Sequence, residues 1–207
     1  MICHDLTNII VKAVVDAVVM TYLFNKFPRA NSGQLSSLRA RAVCGPALAF
    51  IAVRVLNLHT FLLADHPGLA GAVEKYIPTL QATSSRDIVL QSWAHDPPKV
   101  LSDIFESLVA AVLIDSGYNF DKTMCIVETA MESILEVLSP DLPPEPVSAF
   151  YLWAAKSGCK RIHLRYVSPD AVCPYSLHIE ARLGNHAVVL NKSETTPSVL
   201  SYMIQSS

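Results

Sequence analysis

The stretch Pro98–Gly117, PKVLSDIFESLVAAVLIDSG, decides how the rest of the chain is read. Pro97 and Pro98 bring the chain in extended, and a proline suits the first turn of a helix. Leu101, Ile104, Phe105, Leu108, Val109, Val112 and Leu113 recur at helical spacing, and Gly117 offers a left-handed stop. Asp103 and Glu106 stand three residues apart, so both carboxylates leave one face. Acids near the start of an apolar helix have two readings. They form a solvated first turn that complements the helix dipole. Or they lie partly inside and need a cationic partner, of which a divalent metal that prefers oxygen ligands is one. Spacing alone leaves both open.

Composition sets the outer bounds. The 207 residues leave room for one domain of about 140 residues plus a small module, or for one larger domain. A hydrophobic content of 51% against 16% charged excludes disorder and predicts a large core. The formal net charge of −2 gives no global attraction to nucleic acid, so any such contact must come from a local patch. Cys3, Cys44, Cys125, Cys159 and Cys173 are odd in number and form no C-x-x-C pair, which fits reduced thiols. No signal peptide is evident, and Ile9–Met20 is apolar but carries Lys12 and Asp16 and is too short for a membrane span. The expectation is an intracellular protein, cytoplasmic or nuclear, with no membrane partner.

In chain order, Asn8–Phe27 reads as a buried helix ended by Pro28. Helices follow over Gln34–Arg41 and Pro46–Leu56, then a loop around Asp65, Pro67 and Gly68. Ala70–Gln81 reads as a helix broken near Pro78, and Ala82–Pro98 as a short helix and a loop. Beyond the central helix, Asp121–Leu138 starts from an N-cap at Asn119, with Met124, Val127, Met131, Ile134, Leu135 and Leu138 on one side. Three prolines in Ser139–Glu145 mark a linker. Pro146–Ser157 is then helical, and Lys160–Val167, Tyr175–Arg182 and His186–Lys192 have the alternation of strands in an antiparallel meander. The predicted fold is mostly α: an all-helical domain over residues 1–138, a linker over 139–145, and a small α+β module over 146–207.

DIFESLVAAVLIDSG resembles the second signature of ribonuclease III domains, and PKVLSDIFES is similar to the form that Dicer-type members carry. The segment SGQLSSLRA is also similar to the family, which commonly has a serine-leucine-arginine helix there. Upstream, AVVD at Ala13–Asp16 aligns with the second half of the family's first signature, LEFLGDAVLD. The first half departs from it. Asn8 stands where the family has Glu, Lys12 where it has a metal-binding Asp, and Val11 where it has a glycine that lets helices pack closely. The resemblance therefore begins in mid-motif, and the sequence is either a genuine short protein or one that starts inside a longer Dicer-like protein.

What the resemblance implies is a double-stranded-RNA endoribonuclease of RNA processing and RNA silencing. In this family carboxylates from both signatures hold Mg²⁺ or Mn²⁺, which activates water and stabilises the leaving oxygen. The metal and catalytic residues carried over are Asp103 and Glu106, with Lys99 as a contact to the scissile phosphate or as a solvated lysine at the helix start. Lys12 is expected to pair with Asp103 or Glu106 in the metal's place, leaving cleavage impaired. At ~4 Å an ammonium repels a dication by several kcal/mol, even at an effective dielectric near 20. The alternative is a non-catalytic dimerisation or RNA-scaffolding module with the same fold. Either implies pairing as a homodimer or with another ribonuclease III domain.

The last module resembles the opening of a double-stranded-RNA-binding domain. Pro197–Ser207 has no Lys or Arg, so the family's basic second helix is not matched and the module reads as incomplete. Arg39, Arg41 and Arg54 either line an RNA-facing surface or are ordinary surface charges. Lys160, Arg161 and Arg165 form a basic strand face or simply the wet face of a half-buried strand. Cys159 and His186 match half of a zinc site found in fungal Dicers, or are a buried thiol and an unrelated histidine. Asp115 is expected to cap or orient, since it lies three turns along the helix from Asp103.

Overall fold

A computed structural model describes the backbone of residues 2–63, 67–156, 159–167, 175–183 and 186–194, and the side chains of residues 10–63 and 67–156. The chain divides into two compact units, Met1–Leu142 and Pro143–Ser207.

The first unit is helical throughout its described residues. α1 (Ile2–Lys26) contacts α2 (Ser32–Ala42), α6 (Val100–Asp115) and α7 (Phe120–Leu135). Its Val11, Val14, Val15, Val18, Val19 and Leu23 recur at three- and four-residue steps, and all are buried. Each side chain of this size contributes about 1.5–3 kcal/mol when fully buried. That stripe is why α1 can be so apolar and still belong to a globular core. Among the described residues no helix is long and apolar enough to cross a membrane. At its far end Lys26 Nζ donates to the carbonyls of Leu135 and Glu136, 3.1 and 3.3 Å away, and so caps the end of α7.

α3 (Gly45–Phe50) does not continue as a regular α-helix to Leu56. It widens into a π turn over Ile51–Val55, closed by a bond from Leu56 N–H to the Ile51 carbonyl. α4 (Pro67–Ala82) starts at the proline assigned to a loop and runs through Pro78 without the expected break. The reason lies in exposure. Pro78 removes the donor for the Glu74 carbonyl, but both residues face solvent, where water replaces the lost bond. Buried Val73 and Leu80 hold the helix on either side. α5 (Ser85–Gln91) begins at Ser84, whose Oγ accepts from Asp87 N–H.

α6 buries Leu101, Phe105, Val109 and Leu113. It stops as its glycine predicts. Gly117 has φ +68°, its N–H donates to the Ile114 carbonyl, and Tyr118 N–H donates to that of Leu113. Asp115 is exposed in the last turn and supplies neither bond; the backbone and the Ser116 hydroxyl, which donates to the Leu113 carbonyl at 2.9 Å, cap the helix, and the expected capping role of Asp115 is not seen. Asn119 caps α7 through Lys122 N–H, as expected. The second unit has α8 (Pro146–Lys156), β1 (Cys159–Val167), β2 (Tyr175–Leu183) and β3 (His186–Glu194). β2 pairs antiparallel with β1 and β3, with Leu164 opposite Ile179 and Ile179 opposite Leu190. The side chains of Asn8, Lys160, Arg161, Arg165, Cys159 and His186, and the segment Pro197–Ser207, lie outside the described residues.

Candidate active-site cleft

The start of α6, one face of α1 and the start of α3 enclose a cleft of about 360 Å³. Its walls are Val15, Val43 and Leu48, and its charged residues are Lys12, Asp16, Lys99, Asp103 and Glu106. Helical spacing explains the convergence. Lys12 and Asp16 are one turn apart on α1, and Lys99, Asp103 and Glu106 follow one face of α6.

Each acid has a cation beside it, in a different way. Lys99 Nζ donates to Asp103 Oδ1 one turn along, on a side chain 77% exposed. That bond holds the Lys99 ammonium above its ordinary pKa. Arg39 Nη1 straddles both oxygens of Asp16, at 2.9 and 3.0 Å. Lys12 Nζ stops 3.9 Å from Glu106 Oε2, and that buried oxygen has no hydrogen-bond partner. Burial pushes the Glu106 carboxyl above its usual value. The Lys12 charge opposes that rise, Asp103 adds to it, and Lys99 also opposes it.

The three carried-over residues, Lys99, Asp103 and Glu106, are thus together, and Lys12 joins them. Three arginines divide. Arg39 serves Asp16 and Arg54 is exposed. Arg41 corrects the surface reading: it is 2% exposed and donates to the Val89 carbonyl at 3.0 Å, tying α2 to α5. The place of Asp16 in the cleft went unread in the sequence, although the quoted AVVD fragment ends on it. Its partner lies 23 residues away, on another helix.

A family model for the ribonuclease III domain matches residues 12–117, from Lys12 in the cleft to the glycine that ends α6. The chain belongs to the ribonuclease III domain family. It is of the Dicer-like kind. It is 31% identical over 133 residues to Endoribonuclease Dicer homolog 4 of Oryza sativa subsp. japonica, covering 64% of this chain and 8% of that protein. To Protein Dicer of Schizosaccharomyces pombe it is 29% identical over 126 residues, covering 59% of this chain and 9% of that one. To Ribonuclease 3-like protein 3 of Oryza sativa subsp. japonica it is 31% identical over 145 residues, 70% of this chain and 46% of the other. The chain therefore spans under a tenth of these two Dicer relatives and under half of the third. A solved structure of Dicer from Pichia stipitis aligns with 91% of this chain and 79% of its own, at 18% identity and a TM-score of 0.40.

This family generally depends on a divalent metal. Mg²⁺ demands about six oxygen ligands in near-octahedral array. Here one oxygen of Asp103 accepts from Lys99, both of Asp16 accept from Arg39, and an ammonium stands beside Glu106. Among the described residues no group of three His, Cys, Asp or Glu is placed to hold a metal. The described donor set does not fit a resident Mg²⁺ or Mn²⁺.

Proposed function

We propose that this chain is a double-stranded-RNA-engaging ribonuclease III domain of Dicer type whose own capacity to cut is impaired. Membership of the ribonuclease III family supports the substrate class. The observation that carries the impairment is Lys12 standing 3.9 Å from Glu106, in the cleft where the family's carboxylates would hold metal. Lys99, Asp103 and Glu106 are the residues of the ancestral chemistry, with Asp103 and Glu106 the metal-facing pair.

Domain pairing, with a second copy or another ribonuclease III domain, belongs to the same reading. It is supported by the exposure of Ile10 and Phe24 on α1 and of Ile114 on α6, large apolar side chains on the two signature helices. We also read residues 1–138 as the nuclease-type domain, 139–145 as the linker, and 146–207 as a double-stranded-RNA-binding-like module. A helix followed by a three-stranded antiparallel meander supports the last of these.

The test is incubation of the full chain with labelled blunt double-stranded RNA in Mg²⁺ or Mn²⁺, read on gels under denaturing and native conditions. The expected result is a retarded complex with the RNA intact. Metal-dependent cutting that disappears in Asp103→Ala overturns the impairment. Such cutting would also restore the enzyme over the scaffolding module, which is the alternative function.

A further inference from the structure

The cleft's three acids, Asp16, Asp103 and Glu106, are matched in number by Lys99 and Lys12 within it and by Arg39, which reaches Asp16 from α2. They are not all matched in depth. The Glu106 side chain is 12% exposed and that of Lys12 57%; Asp103 is 40% exposed and Lys99 77%. In these two pairs the carboxylate is the deeper partner and the ammonium the more exposed, with Glu106 deepest, whereas Arg39 and Asp16 lie level at 36% and 39%. A dication approaching from solvent meets the positive layer first, and so does a phosphate, with opposite results.

Lys12 is also the least committed of the three cations. An ammonium carries three donors, yet the Lys12–Glu106 separation exceeds hydrogen-bond length and Lys12 makes no hydrogen bond to the described residues. We infer that Lys12 stands between Glu106 and a backbone phosphate of double-stranded RNA, so that this cleft grips RNA without a divalent metal. The inference rests on the reading that the chain engages double-stranded RNA. It adds the contact atom and the metal independence.

Fluorescence anisotropy of fluorescein-labelled blunt double-stranded RNA tests it, with the full chain titrated over a range of KCl in EDTA and again in Mg²⁺ at matched ionic strength. Wild type is expected to bind equally in both buffers. Lys12→Gln is expected to bind roughly tenfold more weakly, as for the loss of one hydrogen bond to a charged group. Its salt slope should fall by about 0.9, the share of one phosphate contact. Lys12→Arg should stay near wild type. A second measurement needs no variant: reductive methylation of wild type in EDTA, read by mass spectrometry, should slow at Lys12 when RNA is added.

Wild-type binding that requires Mg²⁺ overturns the inference. So does an unchanged affinity and slope in Lys12→Gln, or methylation of Lys12 indifferent to RNA. In those cases RNA engagement itself still stands. Absence of RNA binding in both buffers removes the functional reading and this inference together.

Discussion

On α2 the cations are taken up by partners within the protein, whereas at the rim of the cleft, on α1 and at the start of α6, they are presented to solvent. Arg39 closes on both oxygens of Asp16, and Arg41 is buried against the Val89 carbonyl. Lys99 and Lys12 keep most of their side chains in water, and Lys12 reaches its acid only at 3.9 Å. The difference follows from the side chains. A guanidinium holds several donors in a fixed plane and is weakly hydrated, so it can be drawn inward onto an oxygen; an ammonium is compact and strongly hydrated and stays at the rim. A basic residue therefore says little about nucleic acid until its internal partner is located.

The largest effect is expected at Arg41, which closes its site from inside. Arg41→Met keeps much of the stem and leaves the Val89 carbonyl buried without this donor; we expect a loss of about 2–3 kcal/mol in urea unfolding. A loss within experimental error would mean that the guanidinium is dispensable. The Asp16–Arg39 pair should be worth less, because both side chains are over a third exposed. A double-mutant cycle with Asp16→Ala and Arg39→Ala should give a coupling of about 0.5–1 kcal/mol, shrinking in high salt.

The open side should respond in the other direction. Burial raises the Glu106 carboxyl, so ionising it costs the folded state. The sign follows: that cost is absent below the ordinary pKa of 4.5, grows as pH rises, and is complete above the folded pKa. Glu106→Gln should thus raise the unfolding midpoint at neutral pH, with the gain vanishing in acid. A lowered midpoint at neutral pH would show the carboxylate to be better held than its geometry implies. Smallest of all, Lys12→Gln should move stability by no more than about 0.5 kcal/mol, because the lysine is more than half exposed and makes no hydrogen bond to Glu106. A loss of several times that would class Lys12 with Arg41.

The helices that line the cleft were legible because periodicity and stop signals agreed in them. α6 has its stripe, its acids and Gly117, and all three fall where the pattern puts them. The break expected in α4 is absent because the rule that proline breaks helices assumes a carbonyl left unsatisfied, and Glu74 faces water. The π turn at Ile51–Val55 adds one residue to a single turn, too small a shift to disturb an apolar run. The pairing of Lys12 with an acid of α6 was readable from the interrupted motif, since a cation set among carboxylates must settle on one. Arg41 was not readable. SSLRARA gives two serines and two arginines on a helix, and which arginine turns inward depends on the α5 carbonyl waiting 48 residues later.

Buried Arg41 also gives the domain an internal proteolysis clock. Trypsin cuts after arginine, and the bond that follows Arg41 leads to Ala42, itself 0% exposed. A protease that must thread an extended segment through its own groove cannot reach that bond in the native helix. Cleavage there has to wait for opening of the α2–α5 contact, and with dilute trypsin its rate tracks the population of opened molecules. The peptide ending at Arg41, counted by mass spectrometry in a crude extract, would thus measure the stability of this domain without purification or label.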